Sequence, residues 1–245
     1  MNGENTVMKD LEKEYRLYLP KKSYAVVRVD GKGFSKYTKK LKKPFDAEFT
    51  QDMQETARYL AENIDGAVLA YTQSDEISVV FSDLAGENTD WWFGGQTQKI
   101  VSITAAMATA KFNSLRPSGD VALFDARVHH LDNLGAVRSY LDWRQSDAIK
   151  NSVSMLASHH FSHKSLDGVS TYGRTMKLDE IGVHYHDVAP WVREGALIRR
   201  LLTQGKTSFT RNGEEETVVF MRKKWIVEPA PRFAEMDNLL DVVNV

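Results

Sequence analysis

The chain has 245 residues, a formal net charge of −1, 42% hydrophobic and 27% charged residues, and no cysteine. The absence of cysteine excludes disulfides, thiolate metal sites and cysteine nucleophiles, so any metal must sit on oxygen or histidine. A near-neutral chain binds a polyanion only through local clusters, and with no apolar run of signal-peptide or bilayer length the expectation is a cytoplasmic protein with no membrane partner.

In chain order, Val7 to Tyr18 carries Met8, Leu11, Tyr15 and Tyr18 at spacings of three and four, which predicts a short amphipathic helix. Tyr24 to Val29 is β-branched and apolar, a strand for a buried sheet, and runs straight into Asp30-Gly31-Lys32-Gly33-Phe34. Two glycines within three residues predict a sharp turn where backbone approaches a ligand closely. From Asp46 to Asn63 the apolar period is helical, with Asp46 placed as the N-cap. Ala67 to Tyr71 and Ile77 to Phe81 then read as two strands of a hairpin, with Asp75 and Glu76 near its tip.

Gln96 to Leu115 is an alanine-rich helix stopped by Pro117, and Val121 to Val128 is a fourth strand. Asn133 to Phe161 reads as helix with a break near Ser146-Asp147, and Leu178 to Ile181 closes another short helix. Ala196 to Leu202 and Thr217 to Phe220 flank Asn212-Gly213, a hairpin signal, with Lys224 to Val227 continuing the second arm and a loosely attached tail over the last ten residues.

This order predicts an α+β fold, a ferredoxin-like (βαββαβ) palm domain like those of polymerases and nucleotide cyclases. Residues 1–132 would form the palm-like catalytic core, and 133–245 a helical extension plus a C-terminal β-hairpin completing the same compact unit.

In that layout the first strand and the hairpin are neighbours, so Asp30 and Asp75 converge. Two carboxylates on rigid strand ends suit Mg²⁺, which prefers carboxylate, substrate phosphate and water to an all-protein cage. The Gly31 carbonyl would complete the metal shell, the N–H groups of the Gly31-Lys32-Gly33 turn would cradle a triphosphate, and Glu76 adds a third acid. Either aspartate alone is also an ordinary turn or strand-end residue.

Several other residues carry two open readings. Arg28 faces away from the apolar side of its strand, either toward a phosphate or as a plain surface arginine. Lys39, Lys40 and Lys43 lie in a lysine-rich segment with Lys36 and Lys42, and with Arg144 are candidates for gripping RNA backbone or triphosphate; solvation is the alternative. Arg199, Arg200, Lys206, Arg211, Arg222, Lys223 and Lys224 form a second cluster. His159, His160 and His163 read as solvated, and Trp91 and Trp92 as packing residues in preference to base-stacking ones.

The string Val27-Arg28-Val29-Asp30-Gly31-Lys32-Gly33-Phe34, then Phe45-Asp46, then Tyr71-Thr72-Gln73-Ser74-Asp75-Glu76-Ile77-Ser78, and finally Trp143-Arg144-Gln145-Ser146-Asp147, resembles the histidine-tRNA guanylyltransferase family. The resemblance covers about the first 160 residues and is loose beyond. It implies a palm with two Mg²⁺ ions held by Asp30, Asp75 and the Gly31 carbonyl, and a nucleotide site built from Asp30, Gly31, Lys32, Gly33, Phe34, Ser35, Ser74 and Asp75; Lys43 is added to that site as a candidate on its charge. It implies GTP and ATP as substrates, tRNA or another structured RNA as partner, 3′-to-5′ nucleotide addition to the RNA 5′ end, and a homotetramer. Two departures stand out: Ser35 replaces the family's usual histidine, and Ala148 to Met155 replaces a histidine- and asparagine-rich motif. These resemble the bacterial and phage guanylyltransferase-like branch, which repairs truncated 5′ ends on a template. A nucleotide cyclase and a catalytically idle RNA-binding module remain as alternatives.

Overall fold

The structure, a computed structural model, describes residues 2–117, 119–211, 214–237 and 239. After the N-terminal helix α1 (Asn2–Glu14) come β1 (Tyr24–Gly31), α2 (Phe34–Tyr37), α3 (Ala47–Asn63), β2 (Ala67–Gln73), β3 (Glu76–Ser82), α4 (Thr97–Leu115) and β4 (Phe124–Leu131). The long α5 (Leu134–His160), short α6 (His163–Leu166), α7 (Thr171–Glu180) and α8 (Pro190–Arg193) lead to the paired strands β5 (Ala196–Arg211) and β6 (Glu214–Pro229). All six strands lie in one antiparallel sheet, in the order β4-β1-β3-β2-β5-β6. The first four strands have the expected α+β palm arrangement.

Alternation along β1 sorts the core into two layers. Ala25, Val27 and Val29, with Ile77, Val79 and Phe81 of β3, pack toward α3 and α4 through residues such as Met53, Leu60, Ile100 and Phe112. Tyr24 and Val26, with Leu69, Tyr71, Val80 and Leu197, pack under Val137, Tyr140 and Leu141 of α5. On that second face the series Val26, Arg28, Asp30 turns polar toward the end of the strand. The apolar core therefore stops where the candidate chemistry begins.

Asp46 caps α3 as its position predicts, its carboxylate accepting from Phe49 N–H at 2.8 Å. At the opposite end of β1, the fully buried Asp83 carboxylate accepts from Lys22 N–H (2.8 Å) and Ser23 N–H (3.1 Å), anchoring the chain where Lys22 takes a left-handed φ of 57°. Removing that acceptor strands two donors, so Asp83→Ala should cost about 2–3 kcal/mol in urea unfolding. An unchanged midpoint would show the turn to be held by other contacts.

Several expectations need correction. The first helix begins before Val7 and ends at Glu14, short of Tyr15 and Tyr18. The fourth strand starts at Phe124, not Val121, because the Asn113 side chain already engages both Ala122 N–H (2.9 Å) and Ala122 carbonyl (2.8 Å). No break interrupts α5 at Ser146-Asp147, since Asp147 accepts from Arg144 Nη1 at 2.8 Å one turn earlier instead of competing for backbone. The segment around Leu178 is the end of a helix that starts at Thr171.

Both hairpin strands are 16 residues long, and only Ala196 to Arg199 of β5 pairs with β2, so the rest extends past the sheet as a two-stranded ribbon. Asn212-Gly213 lies outside the described residues. So does most of the expected C-terminal tail, although Leu239 is buried. Trp91 and Trp92 are buried, as the packing reading holds, and His159, His160 and His163 are exposed.

Candidate active site at the end of β1 and the β2–β3 turn

Asp30 pairs directly with Glu76 across β1 and β3, and Gly31 N–H donates to the Asp75 carbonyl at 3.1 Å. The β2–β3 connection is a two-residue turn, Ser74-Asp75, between the paired Gln73 and Glu76. Ser74 has a φ of 49°, a left-handed conformation that usually falls to glycine or asparagine in such turns. The strain is met locally: Thr72 Oγ1 donates to the Glu76 carbonyl (2.8 Å), and Ser74 Oγ donates to Asp75 Oδ1 (3.1 Å). On the other side, a Cβ at Gly31 would lie 2.3 Å from the Phe34 ring, so only glycine lets β1 turn this tightly into α2.

Asp75 is partly buried, and that burial raises its carboxyl pKa above the usual range. Asp30 and Glu76 push it higher, while its own backbone N–H and Ser74 pull it down. Ionised Asp75 is thus held against burial and two neighbouring acids. A group with a raised folded-state pKa contributes stability that is present below its unfolded value and lost as pH rises through the folded value. In a chelating buffer, Asp75→Asn should therefore melt a few degrees above the parent at neutral pH, with the gap closing under acid. A gap independent of pH would contradict this account of the site.

Glu76 turns into the protein. Its oxygens accept from Arg144 Nε (2.7 Å) and Nη2 (2.6 Å) in a buried bidentate pair, with Arg28 Nη1 at 3.9 Å. Asp30 and Asp75 then remain beside the turn, while Asp125, opposite Asp30 on β4, accepts from Arg127 Nη2 (3.1 Å), which also stands 3.8 Å from Asp30. Among the described residues no cluster of three or more His, Cys, Asp or Glu is placed to hold a cation alone. Two hard carboxylates beside the Gly31 carbonyl match an ion that completes its shell with phosphate and water, so the donor set fits Mg²⁺.

A cavity of about 320 Å³ opens beside the turn, bordered by Ser35, Lys43, Ser74, Asp75, Asn151 and Trp191. Of the residues expected to bind nucleotide, Phe34, Ser35, Lys43, Ser74 and Asp75 border it; Asp30, Gly31, Lys32 and Gly33 do not. Within the glycine turn, Gly31 and Lys32 N–H groups are committed to the Asp75 and Leu123 carbonyls, so the expected phosphate cradle cannot use them. The unbonded amides at the start of α2 are the ones left to play that part.

The expected RNA contacts are scattered. Arg144 is buried on Glu76 and Asp147, out of reach of a backbone phosphate. Lys40 is paired with Asp120 at 2.7 Å and borders a second cavity on the far side of α2, while Lys39 is exposed. Arg28 is half-buried, and its Nε is buried without a hydrogen-bond partner.

Among the residues bordering the cavity that the sequence did not single out are Gln54, Asn151 and Trp191. They come from α3, α5 and α8, and no local pattern in the sequence joins them. The Trp143 to Asp147 motif has structural uses. Gln145 Nε2 donates to the Glu194 and Pro231 carbonyls (3.1 and 2.8 Å) and its Oε1 accepts from Phe233 N–H (3.0 Å), fastening the C-terminal segment to α5.

Residues 5–132 match the family described as Thg1, tRNAHis guanylyltransferase. Among solved structures, the chain is similar to a bacterial tRNA(His) guanylyltransferase (Thg1)-like protein in complex with ATP, with 34% identity, coverage of 99% of this chain and 100% of that one, and a TM-score of 0.85. Another structure so described, in complex with GTP, gives 35% identity, coverage of 94% of each chain and a TM-score of 0.77. The tRNA(His) guanylyltransferase of Schizosaccharomyces pombe is 36% identical over 139 residues, covering 54% of this chain and 51% of that protein.

Proposed function

The chain belongs to the tRNAHis guanylyltransferase family, and from that premise we propose that this nucleotidyltransferase adds nucleotides to the 5′ end of tRNA or another structured RNA in the 3′-to-5′ direction. The observation that carries the reading is the convergence of Asp30 and Asp75 beside a cavity bordered by Ser35, Lys43 and Ser74. In this reading Asp30, Asp75 and the Gly31 carbonyl hold two Mg²⁺ ions, which when bound lower the pKa of an attacking hydroxyl and neutralise the leaving pyrophosphate.

The chain's own groups then have distinct tasks. Lys43 and Ser35 bind the triphosphate, and the Ser74-Asp75 turn fixes its position relative to β1. Glu76 acts by positioning, because Arg144 occupies both its oxygens and ties the turn to α5. A 5′-monophosphorylated RNA is first adenylylated by ATP, releasing pyrophosphate. The 3′ hydroxyl of an incoming GTP or other nucleoside triphosphate then attacks the activated phosphate and expels AMP.

Ser35, and Ala148 to Met155 in place of the histidine- and asparagine-rich motif, favour templated 5′-end repair over marking one tRNA. The same reading carries a homotetramer working in the cytoplasm. Among the described residues no helix is long and apolar enough to cross a membrane. The test is incubation with 5′-truncated tRNA, ATP, Mg²⁺ and labelled GTP. Label at the RNA 5′ end is the expected product. A cyclic nucleotide would mark a cyclase, and RNA binding without any product would mark an idle module.

A further inference from the structure

Most polar side chains around the cavity are already engaged. Thr38 Oγ1 donates to the Phe34 carbonyl (2.8 Å), Thr50 Oγ1 to the Asp46 carbonyl (3.0 Å), and the Ser152 and Tyr185 hydroxyls share a bond of 2.6 Å. Asp46, the other carboxylate on this wall, has one oxygen taken by Phe49 N–H and the other by Lys42 N–H (3.1 Å). Among the described residues the Ser35 hydroxyl and the Lys42 ammonium are unengaged, and so are three amides. Among the described residues, Gln54 on α3, Gln73 at the end of β2 and Asn151 on α5 border the cavity, and their amides make no hydrogen bond to the protein. Beside them lie apolar surfaces with nothing on them: Met155, one turn along α5 from Asn151, and Trp191, respectively 42% and 37% exposed.

Free amides flanked by an aromatic ring and a thioether suit a flat heteroaromatic ligand that is stacked on its faces and hydrogen-bonded at its edge. An amide carries a donor and an acceptor side by side, and rotating its terminal bond exchanges them. Adenine offers an N6 donor next to an N1 acceptor, whereas guanine offers an O6 acceptor next to N1–H and N2–H donors. A carboxylate or guanidinium would favour one of these patterns. An amide can meet either.

We propose that Gln54 and Asn151, with Gln73 on the same cavity lining, read the purine edge through reversible amide contacts, so that one pocket accepts adenine and guanine nucleotides alike. The inference rests on the nucleotidyltransferase reading and adds the basis of its base selection. It gives the pocket that takes the activating nucleotide the latitude to hold either ATP or GTP. The two similar bacterial structures, one in complex with ATP and one with GTP, agree with such latitude in relatives.

The test is equilibrium binding of ATP and GTP to the full chain and to the near-isosteric variants Asn151→Asp and Gln54→Glu, with thermal melts to check folding. The parent should bind the two nucleotides with affinities within a few-fold of each other. In either variant the ratio should move toward GTP by on the order of tenfold, because a carboxylate accepts from guanine N1–H and N2–H but faces the lone pair of adenine N1. Repulsion between the new charge and the triphosphate is common to both ligands and cancels in the ratio. A ratio unchanged in both variants, or a parent that already prefers one purine by about a hundredfold or more, overturns the proposal. A parent that binds neither nucleotide sinks the enzyme reading itself, and this inference with it.

Discussion

Alanine at Asp75 is expected to lower nucleotide transfer to RNA by about 10³-fold while leaving the fold and RNA affinity intact. The substitution removes one of two carboxylates proposed to hold the catalytic cations. Their stabilisation of developing charge amounts to several kcal/mol, and each 1.36 kcal/mol is tenfold in rate. Neither neighbouring acid is free to substitute: Glu76 is bonded to Arg144 through both oxygens, and Asp125, opposite Asp30 on β4, accepts from Arg127 at 3.1 Å. The fold should survive, since Asp75 is an exchangeable residue of a two-residue turn and its ionised form is held against burial and the neighbouring acids. Single-turnover assays with labelled GTP, alongside RNA binding by the same preparation, separate the two effects. Transfer at the parental rate would remove Asp75 from the chemistry.

The second large effect is on stability. Arg144→Ala should cost about 3–5 kcal/mol, because it strands the buried Glu76 carboxylate and removes a tie between α5 and the β2–β3 turn. Arg28 cannot take over without moving, as its nearest nitrogen stands 3.9 Å from Glu76. Adding Glu76→Gln to the alanine variant should recover part of the loss, since an amide is far cheaper to bury than an unpaired charge. Urea unfolding of the two single variants and the double variant measures the coupling. A loss below about 1 kcal/mol for Arg144→Ala would mean the pair is solvated in solution and contributes as a surface pair does.

Much of this architecture was legible because its signals are local. The cap at Asp46, the apolar run of β1 and the break at Pro117 each declare themselves within a few residues, and the βαββαβ order then makes β1 and β3 neighbours. That adjacency brings Asp30 and Asp75 together. The fates of Glu76 and Arg144 were not legible, for a physical reason: an acid in a turn motif and an arginine on a helix read as solvent-facing until the packing of α5 across the sheet buries them against each other. The same holds for Gln54, Asn151 and Trp191, which meet only because α3, α5 and α8 converge on one cavity. Donation from Lys32 N–H to the Leu123 carbonyl depends on where β4 begins, a boundary the sequence places three residues too early.

The most direct measurement is diffraction from crystals grown with ATP and Mn²⁺, whose anomalous signal locates the metal. The account predicts manganese bound between Asp30, Asp75 and the Gly31 carbonyl, with the triphosphate running past Ser35 and Lys43. Metal and nucleotide lodged elsewhere, with both aspartates touching neither, would contradict it.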